Sequence, residues 1–213
     1  MSSSTFKPHP LFARLWIKMA PKAEEKGVAD HREDLLAGLS GRVLELGAGS
    51  GSNFAHYPAA VTEVVAVEPE PTLRAAARTA AADARVPVDV VNGVADDLPG
   101  ADGEFDAAVA SLVLCSVPDQ ATALAELRRV IRPGGELRFY EHVQADTQPT
   151  KTFLTLADKT LWPLMAGGCH PTRDTAAAIE AAGFDIVQCR RFRFSPGAPE
   201  PKLPYILGCA RRP

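Results

Sequence analysis

The chain of 213 residues predicts an α/β fold: a seven-stranded, mostly parallel sheet with helices on both faces and an antiparallel hairpin at the C-terminal end. Three observations predict it. Short apolar runs alternate with helical stretches between residues 42 and 143. A glycine-rich turn follows the first apolar run directly. The last two apolar runs are separated by a proline-rich loop and read as a closing antiparallel pair.

The elements follow in order. LFARLWIKMA, within a separate N-terminal segment (residues 1–35), reads as an amphipathic helix and a lid. RVLEL (42–46) is the first strand, and a short helix starts after the glycine turn. EVVAVE (63–68) is the second strand. PEPTLRAAARTAAADA (69–84) follows as an alanine-rich helix with its prolines in the first turn. VPVDVVNG (86–93) is the third strand. FDAAVASLVL (105–114) is the fourth, apolar enough to be central and buried on both faces. QATALAELRRVI (120–131) is an amphipathic helix with a basic end, stopped by RPGG; ELRFYEHV (136–143) is the fifth strand. Residues 144–170 are a longer excursion, helical through TFLTLADKTLW up to Pro163, within an acceptor-side cap over 144–175. A helix over 172–184 starts at a cap supplied by either Thr172 or Asp174 and stops at Gly183. DIVQCRRFRFS (185–195) and KLPYILGCARR (202–212) form the closing pair, with Cys189 and Cys209 expected as buried small hydrophobes.

Bulk composition narrows the function classes. A 46% hydrophobic content supports one domain over 1–213 with a proper core. A net charge of -3 gives no basic excess for a nucleic-acid partner. No segment carries the run of about 18 apolar residues that spans a membrane, so a cytoplasmic protein without a stable membrane anchor is expected, monomeric or weakly dimeric. Cys115, Cys169, Cys189 and Cys209 are far apart with no CxxC pair, so neither a zinc site nor a disulfide framework is expected.

The glycine turn carries Gly47, Gly49 and Gly51 at spacing two, where backbone can approach a ligand closely. A P-loop would need Gly-Lys-Ser/Thr, and the turn continues Ser52-Asn53-Phe54. A dinucleotide fingerprint would place its third glycine at Ser52. Glu45 ends the strand beside the turn, where a carboxylate repels a pyrophosphate and suits an ammonium. S-adenosylmethionine (SAM) carries an ammonium and a sulfonium and no phosphate, so the turn points to SAM. Glu68, 21 residues after Gly47, can accept hydrogen bonds from both ribose hydroxyls. Taken alone, it also reads as an acid at a helix start.

VLELGAGSG, AVEPEP, NGVADDLP, FDAAVASLVLCSV and LRRVIRPGG resemble, in order, the signature segments of class I SAM-dependent methyltransferases over residues 40–143. The resemblance implies a Rossmann-like fold and SAM as cofactor, with S-adenosylhomocysteine as product. It implies that Glu45, Gly47, Gly49 and Gly51 hold the methionine part, with Asn53 in the same turn. Glu68 and Pro69 hold the ribose side. Gly93, Val94 and Ala95 lie against the adenine, and Ser111 and Leu112 flank the methionine end. Val94 stands where many relatives have Asp, and Asp96 is the other candidate for that contact.

VASLVLCSVPD, RVIRPGGELRFYEHV and GGCHPTRDT resemble more narrowly the small-molecule thiol S-methyltransferases, whose eukaryotic members carry DGC-N-x-TR. His170 stands in place of the Asn. Those members also carry an N-terminal hydrophobic anchor; no such segment is read here, so a membrane-bound role is not expected. The resemblance implies an apolar small-molecule thiol as acceptor, of natural-product or xenobiotic type. A quinone or phenol oxygen or carbon, or a lipid amine, is the alternative acceptor. A non-catalytic SAM-binding partner protein is the alternative of another class. An NAD-dependent reductase is disfavoured by Glu45 and Ser52. A thiol with an ordinary pKa near 8.5 needs no strong base. A catechol would need a metal and carboxylates; no metal-ligand cluster is evident, so no metal is expected.

His142, after strand five, and His170, in the cap segment, are the candidate catalytic groups. Each has a structural alternative: a backbone partner for His142, a loop position for His170. Cys115 reads as core, Cys169 as a reactive thiol or turn packing, and Arg173 as a substrate anion partner or a surface ion pair. Phe12, Trp16, Phe153, Trp162 and Met165 form either a water-excluding lid or a packed amphipathic face. His9, His31 and His56 are assigned no role.

Overall fold

The structure, a computed structural model, describes residues 8–160, 166–196 and 202–213, with the backbone alone at Pro149 and Phe153. Helix α1 (Pro10–Ala23) and α2 (Ala29–Leu36) are joined by a π turn at Glu24–Val28. The strands are β1 (Gly41–Leu46), β2 (Val61–Val67), β3 (Val88–Val91), β4 (Phe105–Ser111), β5 (Ile131–His142), β6 (Asp185–Phe194) and β7 (Leu203–Arg211). They form one sheet in the order β3-β2-β1-β4-β5-β7-β6. The first five strands pair in parallel; β7 runs antiparallel between β5 and β6. The expected seven-stranded α/β architecture is therefore the observed one.

Alternation along the central strands divides the core. Val43, Ala107, Val109 and Tyr140 belong to one apolar cluster, whereas Leu44, Ala108, Ala110 and Phe139 belong to the other. Successive side chains of a strand point to opposite faces, so a strand covered on both sides must be apolar throughout. That is why β4 is apolar without a break from Ala107 to Ala110. The chain leaves β1 toward β2 and β3, then returns to β4 on the other flank. The carboxyl ends of β1 and β4 thus border the topological switch point, where open α/β sheets take their ligands.

Helix starts are fixed by side chains. Helix α3 (Pro71–Ala81) has Pro71 at its first position, and Glu70 accepts the Leu73 N–H at 2.7 Å. Helix α4 (Gln120–Val130) is capped by Asp119, which accepts the Ala121 N–H at 2.9 Å. Helix α5 (Gln148–Asp158) lies in the excursion after β5. In α6 (Thr175–Ala181), Asp174 rather than Thr172 is the cap and accepts the Ala177 N–H. Thr172 instead donates to Asp158 at 2.5 Å.

One expectation is corrected. Cys209 is buried on β7, but Cys189 is exposed. Strand β6 is the sheet edge, and its Arg190, Arg191 and Arg193 keep that edge polar.

Candidate active site

A cavity of about 310 Å³ opens at the carboxyl ends of β1, β2 and β4. Glu45, Gly47, Gly49, Asn53, Glu68 and Pro69 line it. Val94, Ala95, Ser111, Leu112 and His142 line it too. Eleven of the fourteen sequence-predicted cofactor and catalytic positions therefore converge on one space; Gly51, Gly93 and His170 are not among its lining residues.

The glycine turn explains the exception at Gly51. A Cβ there would meet the Phe54 ring at 2.7 Å and Ala80 at 2.9 Å, with φ at +85°. Gly51 is a packing residue that lets the turn settle on α3. A Cβ at Gly49 would meet nothing nearer than Trp16 Nε1 at 3.7 Å, so its missing side chain leaves ligand space. The Gly49 N–H donates to Glu68 Oε2 at 2.7 Å, and the Glu70 N–H donates to Glu68 Oε1 at 2.9 Å. Each Glu68 oxygen keeps a second lone pair for a hydroxyl.

Glu45 is fully enclosed. Asn53 donates to its Oε1 at 2.9 Å, and the Tyr57 hydroxyl donates to Oε2 at 2.7 Å. Burial pushes its carboxyl up to about 7, opposed by these two donors and by the Arg32 guanidinium. Burial likewise raises Glu68 to about 7, against its two backbone donors. Both carboxyls therefore stand ready to ionise when a cation or donor arrives.

Arg32 was not predicted. It comes from α2, is 5% exposed, and lines the cavity. Its Nη1 donates to Asn53 Oδ1 at 2.6 Å and to Ser111 Oγ at 3.2 Å, while Nε pairs with Glu24 at 2.9 Å. Nothing in the local sequence marks a buried arginine contributed by a helix of mixed composition. Glu70 also lines the cavity, and its Oε1 is buried without a hydrogen-bond partner. His9 lines it as well, although the sequence assigned it no role.

The turn after β4 is held from β5. Leu112 has a φ of 58°, unusual for a branched side chain, and its N–H donates to Tyr140 O at 2.7 Å. Glu141, fully buried, accepts the N–H groups of Val113, Leu114 and Cys115 at 3.0, 2.8 and 3.1 Å. His142 projects oppositely to Glu141 and lines the cavity, with its ring 4.3 Å from that of Tyr205.

The cap segment docks on this turn. The His170 N–H donates to Cys115 O at 2.8 Å, and Arg173 donates to Leu114 O at 2.7 Å. Arg173 is thus a structural pin. The His170 ring is hydrogen-bonded to Asp158 at 2.7 Å, and its side chain points to that carboxyl group. Cys169 enters the cavity wall, with Sγ 3.6 Å from His142 Nδ1. Cys115, expected as core, is buried yet also lines the cavity. A hydrogen bond with Cys169, then burial, holds the Cys115 thiol well above its ordinary range. The expectation of no metal-ligand cluster is therefore corrected: Cys115, His142 and Cys169 offer ligand atoms within 4.8 Å of one another. Their sequence spacing concealed this because the sheet brings together the ends of three separate segments.

Phe12 and Trp16 of α1 line the cavity, and the Phe12 ring packs where a Cβ of Gly167 would sit, at 2.5 Å. The N-terminal helix and the cap segment therefore meet over the site. The matching expectations for the Phe153 side chain, Trp162 and Met165 lie outside the described residues.

The cavity suits SAM chemically. Two buried acids, Glu45 and Glu68, line it, as does Glu70, whose Oε1 is buried without a hydrogen-bond partner. The glycine turn offers no lysine for a phosphate. Fold and cavity together define a SAM-dependent methyltransferase of class I. The methyltransferase domain family model matches residues 44–139. Mouse thiol S-methyltransferase TMT1B is 38% identical over 209 residues, covering 94% of this chain and 82% of its own length. The demethylmenaquinone methyltransferase of Clavibacter sepedonicus is 39% identical over 167 residues, covering 70% of this chain and 67% of its own. A solved SAM-dependent methyltransferase from Thermotoga maritima superposes with a TM-score of 0.70 at 18% identity, covering 95% of this chain and 97% of its own. The chain belongs to the SAM-dependent methyltransferase family that includes the thiol S-methyltransferases.

Proposed function

We propose that this methyltransferase transfers its methyl group to the sulfur of a small apolar thiol. The observation that carries the reading is that Cys169, in the segment resembling the thiol S-methyltransferase block, lines the cavity 3.6 Å from His142. The likeness to the TMT1B proteins over nearly the whole chain supports it. So does the apolar cover of Phe12, Trp16, Val113 and Val117.

When bound, SAM supplies an electrophilic methyl on a sulfonium. Glu45 holds the ammonium of its amino-acid end, and Arg32, beside Ser111, faces the carboxylate. Glu68 takes the ribose hydroxyls, Pro69 packs beside them, and Val94 and Ala95 cover the adenine. Gly47, Gly49 and Leu112 supply close backbone. The acceptor enters from the His142 side, in line with the methyl, and alignment there accounts for much of the acceleration. His142 orients the thiol; a strong base is dispensable because a thiol ionises within reach of neutral pH. The apolar roof keeps water from the reacting sulfur. His170 acts outside the cavity by fastening the cap segment. The protein works on a diffusible substrate in the cytoplasm, as a monomer or weak dimer, without a nucleic-acid partner.

The test is turnover with SAM on a panel of alkyl thiol, aryl thiol, dithiol, catechol and quinol, read as S-adenosylhomocysteine release with identification of the methylated product. Methyl thioether from the thiols alone is expected. Methylation of the quinol with no thioether would refute the sulfur acceptor.

A further inference from the structure

We propose that Cys115, His142 and Cys169 form a site for a soft divalent cation of the zinc class, whose open coordination position receives the acceptor thiol. The three side chains come from the turn after β4, the end of β5 and the cap segment. Each offers one ligand atom, and all lie within 4.8 Å of one another. Cys169 Sγ and His142 Nδ1 are 3.6 Å apart. Zn–S near 2.3 Å and Zn–N near 2.0 Å put neighbouring tetrahedral ligands about 3.5–3.8 Å apart. One edge of the tetrahedron is thus at its working length, and contraction of the remaining separations toward that length closes the triangle.

The donor set selects the ion. Two sulfurs and an imidazole favour zinc-class cations over magnesium or calcium, which take oxygen ligands. Three protein ligands and a free fourth position are the pattern of a catalytic zinc rather than a structural one. All three residues line the cavity, so the fourth position opens toward the cofactor space. The surroundings hold the ligands in place. Glu141 fixes the Cys115 backbone, the His170 N–H ties the cap segment to Cys115 O, and Tyr205 packs on the His142 ring.

The chemistry assigned to the ion rests on the sulfur-acceptor reading; the binding of the ion does not. The acceptor thiol releases its proton to solvent as its sulfur joins the cation. A sulfur lone pair then forms the bond to the methyl carbon while the sulfonium C–S bond breaks. That electron pair stays on the cofactor's sulfur, which leaves as a neutral thioether. The methylated product is a weak ligand and departs. No redox partner is needed.

The experiment uses the full chain, purified with a phosphine reductant, stripped with chelator, and titrated with Zn2+ and separately with Co2+. One equivalent of metal retained through gel filtration, with a thiolate-to-Co2+ charge-transfer band, is expected. Cys115→Ser and Cys169→Ser should each abolish the band and the retained metal, while calorimetry shows that SAM still binds. Absence of stoichiometric metal in the wild type, or a band unchanged in both serine variants, would overturn the site. An alkanethiol added to the Co2+ form should shift its visible bands; unshifted bands would overturn the open position. Metal binding with the expected spectrum but no thioether product would uphold the site and defeat the sulfur-acceptor reading. Full-rate thiol methylation by metal-free protein would uphold that reading and overturn the ion's part in it.

Discussion

The Glu141 carboxylate receives the Leu114 N–H at 2.8 Å, and the same side chain takes the N–H groups on either side of it. A fully buried acid is therefore the template for the turn that presents Leu112 and Cys115 to the cavity. Replacing it with Gln turns an acceptor into a donor that faces three N–H groups. Glu141→Gln should cost about 2–3 kcal/mol, since buried donors are left unsatisfied. Denaturant titration checks the value; a loss below about 0.5 kcal/mol would contradict the template role.

SAM affinity should depend on pH through Glu45 and Glu68, both raised to about 7 by burial. Their folded values exceed the unfolded ones, so the cofactor-free protein has their full stabilisation below about 4.5 and loses it as pH rises through about 7. The ammonium and the ribose hydroxyls favour the carboxylates, so affinity should tighten as pH climbs toward 7, by at most about tenfold per unit for each group, and level off above about 8. Calorimetry across pH 5 to 9 in buffers of differing ionisation heat would also register the released protons. A flat affinity profile would exclude the linkage.

Gly51→Ala and Gly49→Ala should part company. At Gly51 the new methyl meets Phe54 and Ala80 at under 3 Å, on a left-handed backbone. Strain and overpacking together should cost about 2–4 kcal/mol. At Gly49 the backbone strain is similar but the space is open, so stability falls by about 1–2 kcal/mol and the loss appears mainly in SAM affinity. Thermal unfolding and binding measured side by side decide it.

Arg32→Met should weaken SAM by about 2–5 kcal/mol, roughly 30-fold or more, because a buried charge partner is removed. Glu24 and Asn53 lose their donor as well, so some stability is lost with it. Arg32→Lys should recover only part of the binding, since an ammonium cannot serve Glu24, Asn53 and a carboxylate together. Equal affinity for all three proteins would remove Arg32 from the site.

His142→Ala and His170→Ala should also differ. The first should lower kcat on thiols with the SAM affinity nearly unchanged. The second removes the Asp158 pair and should lower Tm by a few degrees, about the effect of 1 kcal/mol in a chain of this size, with kcat barely altered. Steady-state kinetics with thermal unfolding separates the two.

The sheet was legible because a strand covered on both faces must be apolar along its whole length, and VLEL, VVAV and AAVA have few other ways to fold. The cofactor end was legible because glycine spacing and two strand-end acids are local features. Cys189 was misread because CRRFRF gives the same alternation on an edge strand as on a half-covered one. Arg32 and the Cys115–His142–Cys169 cluster were not legible. Their meaning arises only when α2, the β4 turn, the β5 end and the cap segment meet, and no single stretch encodes that meeting.

Strand β7 lies between β5 and β6 although it follows both in the sequence. During synthesis, β5 and β6 therefore emerge with a gap between them that only residues 203–211 can fill. The sheet that carries His142 cannot close before residues 203–211 have been made. A nascent or prematurely ended polypeptide would own the glycine turn and both cofactor acids, yet lack the strand against which the end of β5 is braced. Tyr205, on that strand, packs its ring against His142 at 4.3 Å. Completion of the acceptor end thereby waits on residues 203–211, and a fragment that stops short of them does not acquire a finished reaction chamber.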